Sequence, residues 1–126
     1  SDDGMDELST TSKNKACLLK NEEITEFIID PSRYNMEKGN LSDIQISTKQ
    51  EAVDAFVKVL NNTSNKTMKE ITILNAAGGL LVAGICNKFD EGVELALETI
   101  NNGNAFKKLK QFAKENNALN KLEELE

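Results

Sequence analysis

The chain has 126 residues, a formal net charge of −6 and no histidine. That length allows one domain or part of one, the negative charge argues against a nucleic-acid surface, and the lack of histidine excludes imidazole metal sites and histidine acid–base chemistry. An apolar fraction of 39%, to which seven glycines add, is ordinary for a folded chain and argues against disorder.

The opening Ser1-Asp2-Asp3-Gly4-Met5-Asp6-Glu7 gathers four carboxylates around a glycine. Such a cluster reads either as a solvated turn or helix start, or as a site for a divalent metal. Adjacent residues face apart on a regular element, so Asp6 and Glu7 can share one ion only on an irregular loop, which Gly4 permits. Mg²⁺, held by one or two carboxylates with substrate phosphates and water, is the matching hard cation; EF-hand spacing is absent. Because Ser1 is not a Met and the first residues read like the inside of a motif, the natural protein is expected to begin upstream.

Residues 15–20 (KACLLK) and 24–29 (ITEFII) are β-prone runs spaced for an antiparallel hairpin. Pro31 ends the second run and suits the first position of a short helical turn, with Asp30 or its neighbour as cap. Thr48 and Glu51 form a capping box, so a helix is expected from Lys49, with Ala52, Val53, Phe56, Val57 and Leu60 as one apolar stripe. Thr67 and Glu70 repeat the pattern ahead of residues 68–86, a segment apolar on nearly every side after Ile71 that reads as a central helix. Its apolar run is interrupted and short for a membrane span. Gly78 and Gly79 inside it predict close contact with a neighbouring element.

Asp90-Glu91 start a further helix whose inner face is Val93, Ala96, Leu97 and Ile100, and Gly103 suits its left-handed stop. A last stretch carries Phe106, Leu109, Phe112 and Ala113, then Leu119, Leu122 and Leu125 beyond a break at Asn116-Asn117. Lys107, Lys108, Lys110 and Lys114 read as a solvated helix face. Cys17 and Cys86 sit in apolar runs without a C-x-x-C spacing, so buried free thiols in a reducing, cytoplasmic compartment are expected.

The order of motifs carries more than any one of them. Gly4-Met5-Asp6-Glu7-Leu8-Ser9, then Lys20-Asn21-Glu22-Glu23-Ile24 with Asp30-Pro31-Ser32, then Leu74-Asn75-Ala76-Ala77 through Ala83-Gly84, and finally Asp90-Glu91-Gly92-Val93-Glu94-Leu95-Ala96 with Ile100, Gly103, Ala105 and Leu109, resemble the anthranilate phosphoribosyltransferases in register over nearly the whole chain. The resemblance implies that Asp6 and Glu7 are the family's Mg²⁺ pair, and that the reaction moves the phosphoribosyl group of phosphoribosyl pyrophosphate to anthranilate. It also implies a homodimer when intact, while the net charge and the short apolar run leave no membrane or nucleic-acid partner expected. The family's Gly-Thr-Gly-Gly loop, its Lys-His-Gly-Asn segment and its anthranilate-facing Arg have no counterpart in this sequence.

The expected architecture is therefore α+β and mainly helical: a small antiparallel ribbon plus several helices over residues 1–126. It would form a single, partial domain, the C-terminal part of a larger α/β catalytic domain of the nucleoside phosphorylase type. The fragment alone is expected to be inactive, with an exposed apolar surface prone to self-association. Two rivals stand beside this reading: a non-catalytic interaction module that retains the fold, and a nucleoside phosphorylase of related architecture.

Overall fold

Strands β1 (Asn14–Lys20) and β2 (Glu23–Ile29) pair antiparallel, Asn14 opposite Ile29 and Lys20 opposite Glu23. Only Asn21 and Glu22 turn the chain, both in the left-handed region (φ 52° and 67°), the tight turn whose twist matches its strands. These features come from a computed structural model that describes residues 1–125. Asp30 then caps the short turn Pro31–Tyr34, accepting from the Ser32 amide.

Helix α1 (Lys49–Leu60) starts with a complete capping box: Thr48 accepts from the Glu51 amide while the Glu51 carboxylate accepts from the Thr48 amide. Its buried residues are Val57 and Val59, and Phe56 is largely exposed, so the expected single stripe does not hold. Val59 enters the main core and Val57 a smaller cluster with Ala113 and Leu122. Two positions apart on a helix are about 200° around its axis, so α1 presents two faces to two clusters.

The central helix α2 (Lys66–Val82) begins earlier than its sequence pattern indicates, because Asn65, not Thr67, accepts the Met68 amide. Thr67 lies inside the helix and donates to the Asp43 carboxylate instead. Ile73, Leu74 and Ala77 are buried, while Val82 at its end is exposed.

α2 packs against α3 (Phe89–Asn101), where a Cβ on Gly92 would lie 2.9 Å from the Ala77 carbonyl oxygen. The close approach expected at Gly78 and Gly79 is thus made from the opposite helix; Gly78 faces only the Leu8 side chain and Gly79 faces open space. Val93, Ala96 and Ile100 are buried as expected, but Leu97 is partly exposed. Gly103 (φ 77°) leads into α4 (Asn104–Glu115), and the left-handed Asn117 precedes α5 (Leu119–Glu123).

Phe112 points outward, leaving Phe106, Leu109 and Ala113 to form the inner face of α4. Cys86 is buried, whereas Cys17 is exposed, since it shares the outer ribbon face with its partner Glu26. The architecture is the expected one, mainly helical with a two-stranded antiparallel sheet. Among the described residues, no helix is long and apolar enough to cross a membrane.

Candidate metal and substrate site

Asp6 and Glu7 lie on the irregular segment that precedes β1, in a bend and exposed. Gly4 takes φ 84° two residues earlier, in the region that glycine enters at little cost. Within the same turn Asp3 is fully committed: the Ser9 hydroxyl donates to it at 2.6 Å, the Thr11 hydroxyl donates to the same oxygen, and the Met5 amide donates to the other. These donors, Ser9 first, hold the Asp3 carboxyl far below the usual carboxylate range. Asp3 is thus the staple of the loop.

Asp6 and Glu7 make no hydrogen bond or ion pair among the described residues, which leaves their four oxygens available. Two uncommitted, exposed carboxylates fit a Mg²⁺ ion that keeps most of its shell as water and phosphate. They do not fit an all-protein cage, and no group of three His, Cys, Asp or Glu side chains is placed to hold a metal among the described residues.

Leu8 and Ser9, the two residues after the pair, are each gripped through both backbone groups. The Leu8 amide donates to Asn75 Oδ1 at 2.9 Å, and Asn75 Nδ2 donates back to the Leu8 carbonyl at 2.8 Å. One residue on, the Ser9 amide donates to Asn14 Oδ1 at 2.7 Å, and Asn14 Nδ2 donates to the Ser9 carbonyl at 2.9 Å. The Leu8 side chain packs on α2 beside Gly78 and joins the rim of the main core.

Residue chemistry alone did not assign these anchoring roles to Asp3, Asn14 and Asn75. A signal existed for Asn75, the one amide within the apolar stretch 71–86, where an unpaired polar group would be costly.

A groove of about 620 Å³ is lined by Met5 and Glu7 together with Ile46, Phe56, Met68, Ile71 and Asn75. Phosphate-cradling backbone is not evident among the described residues. The only Gly-Gly pair, 78–79, lies within α2, in the body of a regular helix.

Residues 1–106 match the family described as glycosyl transferase family, a/b domain. The chain is 51% identical over 125 residues to an anthranilate phosphoribosyltransferase of Nitrosopumilus maritimus, covering 99% of this chain and 36% of that protein. It is 37% identical over 112 residues to one of Cenarchaeum symbiosum, covering 89% and 33%. A solved structure of anthranilate phosphoribosyltransferase from Saccharomyces cerevisiae in complex with 4-fluoroanthranilate superposes with a TM-score of 0.76 at 23% identity, over 90% of this chain and 33% of that one. That likeness shows the fold, and the chain spans about a third of the length of the curated relatives it matches.

Proposed function

The chain belongs to the glycosyl transferase family through its a/b domain, and from that membership we propose that it is part of an enzyme that transfers a phosphoribosyl group to anthranilate in tryptophan biosynthesis. The observation that carries the reading is the 51% identity to an anthranilate phosphoribosyltransferase over 125 residues, a span that includes the Asp6-Glu7 segment.

In this reading the anthranilate amine attacks C1 of the ribose, the bond from C1 to pyrophosphate breaks, and the amine loses a proton. Asp6 and Glu7 are the residues that would hold Mg²⁺. A bound Mg²⁺ supplies charge neutralisation of the leaving group and a fixed substrate geometry. The chain's own contribution is to present two free carboxylates from a loop that Asp3 closes and Asn75 and Asn14 anchor.

These 126 residues alone are inactive in this reading. They supply the carboxylates but no glycine-rich backbone loop to bind the phosphates that share the metal. The active form is a cytoplasmic homodimer.

The test is Asp6→Asn together with Glu7→Gln in the protein as its gene encodes it, followed by loss of anthranilate fluorescence. Turnover falls by about 100-fold or more, corresponding to about 2.7 kcal/mol of transition-state stabilisation, and the melting temperature is unchanged. Unaltered turnover removes the site assignment. Turnover by the isolated 126 residues removes the inactivity claim.

A further inference from the structure

We infer that Asn75 is a positioning residue for the metal pair: its side-chain amide clasps the Leu8 peptide and sets where the Asp6 and Glu7 carboxylates stand. The inference rests on the metal reading of Asp6 and Glu7.

The Asn75 side-chain amide makes three hydrogen bonds. Its oxygen accepts from the Leu8 amide at 2.9 Å, and its nitrogen donates to the Leu8 carbonyl at 2.8 Å and to the Ile71 carbonyl at 2.9 Å. The two bonds to Leu8 reproduce what a neighbouring strand gives to one residue of a sheet, and they join positions 67 residues apart. The bond to Ile71, one turn back on α2, fixes the amide plane against its own helix. Asn75 is thereby a rigid bracket on the helix that supplies Ile73, Leu74 and Ala77 to the core.

Leu8 directly follows Glu7, so the clasp lies one peptide from the pair. Ser9 is clasped in the same way by Asn14, but Asn14 is fully buried and also donates to the Ile29 carbonyl, which ties it to the ribbon itself. Asn75 is only half-buried and lines the groove that Glu7 also lines, and among the described residues its side chain bonds only Leu8 and, on its own helix, Ile71.

Two adjacent carboxylates bind a common ion only while their backbone is held in a non-repeating conformation. Without the bracket the segment samples others, and each binding event must bear the ordering cost. Groups that orient metal ligands from behind typically change affinity by about 10- to 100-fold when removed.

The experiment compares Asn75→Ala and Asn75→Leu with the double variant Asp6→Asn, Glu7→Gln in the protein as its gene encodes it. The leucine variant keeps a side chain branched at the same carbon should alanine unfold the chain. Mn²⁺ serves as the probe for Mg²⁺, its free fraction read by electron paramagnetic resonance with phosphoribosyl pyrophosphate present and the binding by protein-free phosphoribosyl pyrophosphate subtracted, and hydrogen exchange reads the Leu8 amide.

The expected result is loss of Leu8 protection with Mn²⁺ affinity lowered about tenfold or more. The Mg²⁺ half-saturation in turnover rises in parallel while KM for anthranilate is unchanged. Loss of Leu8 protection with unchanged Mn²⁺ affinity, where the double variant abolishes binding, overturns the positioning role and leaves the metal pair standing. Unchanged affinity in the double variant overturns both.

Discussion

Asp3 and Asp6 lie three residues apart in one acidic cluster and have opposite environments. Asp3 accepts from two hydroxyls and an amide, while Asp6 accepts from nothing among the described residues. The difference has a pH signature. The ordinary Asp value of 3.8 applies to the unfolded chain, and the folded Asp3 lies well below it, held down by Ser9 first and then Thr11. A depressed carboxyl contributes stability above its unfolded value and loses it as pH falls through the folded one. Asp3 therefore stays ionised under acid conditions that neutralise a free carboxylate. A carboxyl-detected NMR titration should place it well below the ordinary Asp value of 3.8, and Ser9→Ala should move it back up. Titration of Asp3 at the ordinary value would remove it as the loop's staple.

At the scale of elements, the α2–α3 contact makes the sharpest claim. Alanine in place of a helix-interior glycine ordinarily adds about 1 kcal/mol of helix preference. At Gly92 the new Cβ meets the Ala77 backbone at 2.9 and 3.1 Å, and backbone cannot turn aside as a side chain can. Gly92→Ala is expected to destabilise by about 1–3 kcal/mol, as overpacking does, read as a lower midpoint in urea. At Gly79, where nothing approaches within 4 Å, the same substitution should stabilise. Equal shifts at the two sites would contradict the packing.

The ribbon, the Thr48 capping box, the Asp30-Pro31 turn and the Gly103 stop were legible because each rests on local chemistry within a few residues. The Gly92 contact, the two-sided burial of α1 and the outward Phe112 were not, because a residue's partner across the fold leaves no mark in its own neighbourhood. The site divides in the same way. Asp6 and Glu7 stood out as a pair, whereas the clasp from Asn75 depends on a contact across 67 positions.

For the whole molecule the deciding quantity is surface. A compact 13.9 kDa chain exposes roughly 6,700 Å² by the usual scaling with mass. This one exposes 8503 Å². The excess is on the order of 1,800 Å², more than one partner's share of a standard protein interface. Large apolar side chains are exposed in patches: Leu19, Ile24 and Ile28 on the outer ribbon face, Ile46 and Phe56 along the groove, Val82 and Ile85 at the end of α2. Exposed apolar area of this extent drives association. The 126 residues in isolation should sediment as dimers or larger species with a weight-average mass that rises with concentration. Phe56→Ser with Ile46→Ser should lower that mass without lowering the helical circular dichroism, since both side chains lie outside the two cores. A monodisperse monomer for the unaltered chain would mean that the patches are too divided to act as one surface, and that burial of this excess is not what the fold requires.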